Sequence, residues 1–321
     1  MIGDVQSVQV ANLWNKGRTA MQSVYHIHLK RALRYIEENL AGDITLDGCA
    51  AAAGYSLYHF HRIFRMIFGV PPAEYIRRRR LSVAAELMLR SDMNLDRVAE
   101  ASGFSCKEVL IRAFQRVHGI SPTSYRRARN CLKLMPDISG LSPDPEDGFE
   151  VPLVPRIVAL PPMTIVGYAV MLSRAEARDG IPRLWNRYNA EYLRSNILYP
   201  LPDMEEYDIG VSTRESGSVA YIAGRPVQRV QDNLGELVSM EIPARRYAVF
   251  TTPPSTHSTF VTTVQRTWDR IIREWIPSSP WPIDPSFDFE CYCEASKTYI
   301  EEIYIPIMPD ERGEKKDEDD T

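Results

Sequence analysis

Apolar residues recur at helical spacing through the first third of the chain. Leu29, Leu33, Ile36 and Leu40 mark one face of a first helix, predicted from about Val24 to Leu40 and stopped by Gly42. Thr45 is placed to cap a short helix over Leu46 to Ala53, and Gly54 supplies a tight turn. Ser56 then caps a longer helix to about Phe68, with Phe60, Ile63, Phe64 and Ile67 as its core stripe. Gly69 ends that helix, and Pro72 opens the next, which runs to about Arg90. The succession starts again near Leu95. Val98 and Ala99 face inward, Gly103 makes the turn, Ser105 caps, and Leu110, Ala113, Phe114 and Val117 form the stripe. Pro122 opens a last short helix.

The two runs are one pattern written twice. Arg62, Phe64, Gly69, Pro72, Tyr75 and Arg77 recur as Arg112, Phe114, Gly119, Pro122, Tyr125 and Arg127. Ala50, Gly54 and Ser56 recur as Ala99, Gly103 and Ser105 with a one-residue slip. Self-similarity at this period means a supersecondary unit present in two copies. A short helix, a Gly turn and a longer helix with a basic outer face outline a helix-turn-helix, so two recognition helices are expected on one chain.

Charge supports that reading once it is divided. The whole chain carries a net charge of only -4, but residues 22–135 hold 18 Lys and Arg against 10 Asp and Glu. Residues 136–321 hold 18 against 31. A basic module joined to an acidic one points to a polyanion partner for the first half only. No hydrophobic run approaches the roughly 18 residues of a membrane span, and no signal-peptide core is present, so the cytoplasm is the expected location. The five cysteines are irregularly spaced; Cys49 and Cys106 fall within expected helices and read as small core residues. Cys291 and Cys293 share a strand face rather than form a metal knuckle, and no metal or other cofactor is expected.

Residues 24–130 resemble the DNA-binding domain of the AraC/XylS family, on Gly119, Pro122, Tyr125 and Arg126 of its closing signature. The resemblance implies a 22–135 domain whose recognition helices enter successive major grooves of double-stranded DNA. Carried over by position, Tyr58, His61 and Arg62 read bases from the first helix, and Lys107, Glu108 and Arg112 from the second. Arg can pair bidentately with guanine, and Glu can accept from cytosine N4. Glu108 also repels phosphate, and its alternative is to hold Lys107 or Arg112. Arg77 and Arg126 are further DNA-contacting candidates. The run Arg77 to Arg80 points in four directions, so it reads as a solubilising linker helix with one or two phosphate contacts. One chain with two readers is expected to act as a monomer on an asymmetric site of about two helical turns.

Residues 136–150 are Pro-, Asp- and Gly-rich and read as a linker. A second duplication follows, offset by about 80 residues. Val158 to Tyr168 and Met240 to Phe250 are strand-like segments around Pro161 and Pro243. Each leads to a helix with an aromatic, Trp185 or Trp268, and then to two strands ending at Gly224-Arg225-Pro226 or Tyr304-Ile305-Pro306. The unit is strand, helix, strand, strand, with a further front strand as an option. Two units can enclose a cleft at a pseudo-twofold axis.

This half resembles the GyrI-like effector-binding domain over residues 151–308. The carrying residues are Ile242-Pro243-Ala244, Tyr247 to Phe250, Glu274 to Pro277, Phe289-Glu290 with Tyr292, and Ile303 to Ile307. The order of the two halves is that of Rob-type regulators. The expected fold class is therefore an all-α double helix-turn-helix domain followed by an α+β domain of duplicated βαββ type. The resemblance implies a cleft glutamate, here Glu290, that binds a small lipophilic or cationic effector between aromatic walls. Glu290 shares a strand face with Tyr292, and the repeat sets Gly210 opposite it. Wall candidates are Tyr168, Trp185, Trp268, Tyr292 and Tyr304, with Trp281 as a lid. The alternative places Glu290 at a solvated edge, like Glu294, Glu301 and Glu302. Residues 309–321 are expected to be a disordered tail.

No nucleophile elbow, phosphate loop or metal cluster is readable, and His257 lies in a Pro-, Ser- and Thr-rich loop, so an enzyme is not expected. Two rival readings of the acidic half stay open. Relatives of this domain that open strained rings use a cleft Glu with a Tyr, Glu as base and Tyr as polariser. The half could also dock a protein such as RNA polymerase, with no ligand.

Overall fold

Both helical copies form where the apolar stripes place them. The computed structural model describes residues 28–68, 70–129, 132, 134, 153–215, 218–293 and 299–308. The expected linker 136–150, the tail 309–321, Gly69, Cys131, Glu294 and the start of the first helix before residue 28 lie outside those residues. Helix α1 covers residues 28–38 and ends two residues before Leu40. It is followed by α2 (Leu46–Ala52), α3 (Leu57–Phe68), α4 (Pro72–Arg90), α5 (Leu95–Ala101), α6 (Lys107–His118) and α7 (Pro122–Ala128). Thr45 Oγ1 caps α2 by accepting from the Gly48 amide at 3.1 Å, and Asn94 caps α5 from Arg97 at 2.9 Å. Gly54 and Gly103 make their turns at φ of 69° and 77°.

The repeated signature is a packing device. Pro72 and Pro122 are buried at the first position of their helices. Tyr75 packs on Phe64 with ring centroids 5.5 Å apart, and Tyr125 packs on Phe114 at the same distance. Two sequence expectations need correction here. Helix α6 starts at Lys107, so Cys106 rather than Ser105 stands where Ser56 stands before α3. The fifty-residue offset of the longer helix, not the one-residue slip upstream, sets that register. Cys106 is accordingly exposed, not a core residue.

The arginine run on α4 is also not a solubilising linker. Arg79 makes a bidentate pair with Glu37 of α1, both contacts at 2.8 Å, with side chains 9% and 13% exposed. Arg80 donates to the Leu40 and Gly42 carbonyls at 2.9 and 2.7 Å. Arg77 and Arg78 pair with Glu74 on the same helix. The run braces α4 against α1 and its turn. Arg79→Ala strips a shielded carboxylate of its partner and is expected to destabilise this unit by about 3–5 kcal/mol. Arg78→Ala should cost under about 1 kcal/mol. Urea denaturation of the two variants checks the difference.

By internal contacts the chain divides into Met1–Ala113 with Leu134–Glu150, and Phe114–Lys133 with Val151–Thr321. The second unit holds one eight-stranded antiparallel sheet in the order β1-β6-β8-β7-β3-β4-β2-β5. Its elements are β1 (Arg156–Leu160), β2 (Met163–Ser173), α8 (Arg174–Ala190), β3 (Tyr207–Glu215) and β4 (Ser218–Val227) in the first copy. The second copy supplies β5 (Val238–Ile242), β6 (Arg245–Thr251), α9 (Phe260–Arg270), β7 (Phe287–Cys293) and β8 (Glu301–Ile307). Each copy is thus strand, strand, helix, strand, strand, and the optional front strand is real. The front strands are exchanged: β1 pairs with β6 and β5 with β2. The copies meet where β3 pairs with β7, with Gly210 opposite Glu290.

The curled sheet packs one face on itself around Ile165, Ile209, Val211, Tyr247 and Phe289. Its other face takes α8 over Val166, Tyr221 and Ala223, and α9 over Phe250, Ile303 and Ile305. Within the same unit, Asn186 of α8 donates to the His118 carbonyl at 2.9 Å, and Arg183 to that of Val117 at 3.2 Å. Trp281 packs in the cluster beneath α9, 6.5 Å from the Trp275 ring, and is no lid. His257 lies in a surface loop and contacts the Arg129 carbonyl at 2.6 Å. Among the described residues no helix is long and apolar enough to cross a membrane.

Candidate functional site

The outer face of α3 follows from the inward turn of Phe60, Ile63 and Phe64. It leaves Leu57, Tyr58, His61, Arg62, Arg65 and Met66 around a shallow hollow, with Tyr58 79% exposed. This is an amphipathic surface with two guanidiniums, an imidazole and a phenol at its rim. Arg65 and Met66 belong to it as much as the three residues singled out from sequence; their i+3 and i+4 spacing from Arg62 is the signal.

Helix α6 presents Glu108, Arg112, Gln115 and Arg116. Lys107 is tied to Asp96 at 3.2 Å, both side chains remaining partly exposed. Glu108 turns back on its own amide and Cys106, which lowers the carboxyl below its usual range. It stands at the helix start, where the Lys107 charge also lowers it. A carboxylate at a helix N-terminus is favoured by the macrodipole. Arg77 is engaged by Glu74, and Arg126 is half-buried on α7.

The second site lies between the sheet and its two helices. A cavity of about 410 Å³ is walled by Ile181, Trp185, Phe260, Val264, Trp268 and Ile272 from the helices. Polar groups enter from the strands: Asp208, Ser212 and Arg214 on β3, Asp288, Glu290 and Tyr292 on β7, and Glu301 on β8. The period of two on β7 turns Asp288, Glu290 and Tyr292 to this face, and Phe287, Phe289 and Cys291 into the core.

Glu290 is held in place on both oxygens. Tyr221 donates to Oε2 at 2.8 Å, and the Trp268 indole N–H donates to Oε1. The Trp185 indole in turn donates to the Tyr221 hydroxyl at 2.8 Å. Burial pushes the Glu290 carboxyl above its usual range, and the Trp268 and Tyr221 donors oppose that rise. Asp288 is pushed up to about 7 by burial, against the opposing pull of Arg214, 2.7 Å away.

The site uses equivalent positions of the two copies. Trp185 answers Trp268, Gly210 answers Glu290, and Tyr221 answers Glu301 across the pseudo-twofold. Gly210 lacks a side chain for a visible reason. A Cβ there would overlap the Tyr221 hydroxyl and stand 3.2 Å from the Trp185 ring. Gly210→Ala is expected to cost about 1–3 kcal/mol of stability and to push Tyr221 off Glu290. Thermal unfolding would register the first effect, and a crystal structure of the variant the second.

Of the residues singled out from sequence, Glu290, Trp185, Trp268 and Tyr292 converge on the cavity. Tyr292 also packs against Phe260, ring centroids 4.8 Å apart. Tyr304 does not reach it: it stacks on Phe289 at 4.4 Å on the opposite sheet face, its hydroxyl donating to Glu302. Tyr168 also stands elsewhere, receiving a hydrogen bond from Asn196 at 2.8 Å. Tyr221, Asp288 and Glu301 are the additions. Glu301, expected at a solvated edge, is only 6% exposed.

Comparison with known proteins fits this division. Residues 49–128 match the family described as a helix-turn-helix domain, and residues 156–307 match the integron-associated effector binding protein family. The transcriptional activator AarP of Providencia stuartii is 36% identical over 98 residues, 30% of this chain and 73% of AarP. Regulatory protein PocR of Salmonella typhimurium is 29% identical over 40% of this chain, which spans only 42% of that protein's length. Among solved structures, SAV2435 bound to tetraphenylphosphonium aligns with 50% of this chain and 97% of its own, at 18% identity and a TM-score of 0.43. By these matches the chain belongs to the AraC family of transcription regulators and carries a GyrI-like effector-binding domain.

Proposed function

We propose that this regulator reads DNA with α3 and α6 and senses a lipophilic cation in the cavity around Glu290. The observation that carries the sensing half is the arrangement of Glu290. It is an oriented carboxylate at the wall of a largely apolar cavity, with Trp185, Trp268 and Tyr292 within the same wall. Such a site attracts a cation by charge and by the aromatic faces, and its apolar walls remove the ligand's hydrocarbon from water. A neutral lipophile gains only the last of these.

On the DNA side, Arg62 and Arg112 occupy equivalent exposed positions of the two copies, suited to guanine edges in successive major grooves. Two readers on one chain favour binding as a monomer to an asymmetric site. The test is selection of duplexes from a random pool by the full chain, followed by sedimentation of the complex and titration with tetraphenylphosphonium. One chain per duplex of about two turns, and a ligand-dependent change in DNA affinity, is the expected result. A palindromic site holding two chains contradicts the monomer, and a cation without effect on DNA contradicts the sensor.

One observation favours a second reading. Tyr221 lies in hydrogen-bond contact with Glu290, which supplies the Glu–Tyr pair a small-ring hydrolase needs. Mass analysis of the ligand after incubation decides between them: an intact ligand supports the sensor, and a hydrolysed one the enzyme.

A further inference from the structure

Glu301 opens β8 with its backbone fixed on both sides. Thr252 N donates to its carbonyl at 2.8 Å, and its own amide donates to Thr252 Oγ1 at 2.8 Å. Its side chain enters the cavity from the strand next to Glu290, so the two carboxyls share one wall of the site. Two carboxyls that share one shielded site do not both ionise, so the pair holds a proton between them. Glu290 already accepts from Trp268 and Tyr221, donors that favour its charged form. Among the described residues no comparable donor reaches Glu301, and its Oε1 is shielded from solvent without a hydrogen-bond partner. The proton therefore belongs on Glu301, and the pair carries one negative charge.

We propose that Glu301 is a charge-setting residue of the effector site, which keeps its proton when a singly charged cation binds and releases it to solvent when a dication binds. This rests on the cation-pocket reading above. In the first case the cation faces one carboxylate. In the second the Glu301 O–H bond breaks, the proton leaves to bulk water, and two carboxylates face two positive charges. Either complex is neutral at its centre, which is favoured where charges meet against apolar walls.

The surrounding charges leave this role to Glu301. Around it stand Glu290, Cys291 and Tyr292 of β7 and Tyr221 of β4; Cys291 lies on the core face of its strand. Farther along the wall Arg214 pairs with Asp288, Arg178 with Asp269 at 3.4 Å, and Asp208 with Tyr188 at 3.0 Å and Arg194 at 3.1 Å. Burial and the neighbouring Glu290 both push the Glu301 carboxyl far above its ordinary range. Asp288, pushed up to about 7, is another acid of the cavity wall able to release a proton near neutrality.

The experiment is calorimetric titration of the full chain at pH 7 in buffers of different ionisation enthalpy. Tetraphenylphosphonium serves as the monocation and methyl viologen as the dication. Wild type is expected to release no proton with the first and about one with the second. Glu301→Gln retains an amide donor for Glu290, so its loss of affinity for tetraphenylphosphonium should be smaller than its loss for methyl viologen. It should release no proton and bind methyl viologen at least tenfold more weakly. Asp288→Asn should leave the proton release intact. Equal proton counts for the two cations in wild type, or release that survives Glu301→Gln and disappears in Asp288→Asn, overturn the proposal. Failure of wild type to bind methyl viologen overturns it too. Failure to bind either cation overturns the pocket reading itself. The wild-type counts stand even if a variant folds poorly.

Discussion

Replacing Glu290 by Gln is expected to weaken binding of a lipophilic cation by at least about 30-fold. The carboxylate is the charge toward which the Trp268 indole and the Tyr221 hydroxyl are aimed. Gln is nearly the same size and can still accept one of those hydrogen bonds, so the cavity keeps its shape. What it loses is the charge. Removing one member of a desolvated charge pair costs about 2–5 kcal/mol, and each 1.4 kcal/mol is a factor of ten. Aromatic contact alone supplies about 0.5–2 kcal/mol, too little to compensate. Calorimetry with tetraphenylphosphonium checks the figure, and an unchanged affinity would show that the ligand's charge is not read at Glu290.

The second large effect falls on DNA. Arg62→Ala and Arg112→Ala should each weaken binding to the selected duplex by about 1–3 kcal/mol and leave random duplex nearly unaffected. Both side chains are exposed on helices whose opposite faces are fixed by Phe64 and Phe114, so truncation leaves the packing intact. Equivalent sites on separate recognition helices share no partner, so the double variant should approach the sum of the two losses. Fluorescence anisotropy on specific and random duplexes measures both terms. Equal loss on the two duplexes would assign these arginines to phosphate.

Much of this architecture was legible because it is written twice. The fifty-residue offset located α3 and α6, and the structure shows that its Pro, Tyr and Phe members are core contacts. The offset of 80–83 residues paired Trp185 with Trp268 and Gly210 with Glu290, and β3 does pair with β7 at the Gly210–Glu290 register. The same offset pairs Tyr221 with Glu301, but Glu301 sits beside Glu302 and near Glu294, and a run of acids resembles a solvated edge. Alternation along β8 separates them: Glu301 shares the inward side with Ile303, and Tyr304 falls on the other. Arg79 and Arg80 were opaque for a different reason. Their partners, Glu37 and the Leu40 and Gly42 carbonyls, lie about forty residues away, and no local pattern reports a contact at that separation.

The central claim is that the second domain selects ligands by positive charge. It is tested most directly by titrating the full chain with tetraphenylphosphonium and with triphenylphosphine oxide, an aryl phosphorus compound without net charge. Preferential binding of the cation by tenfold or more is the expected result. Equal affinity for the two, or preference for the neutral compound, would contradict a receptor built around Glu290.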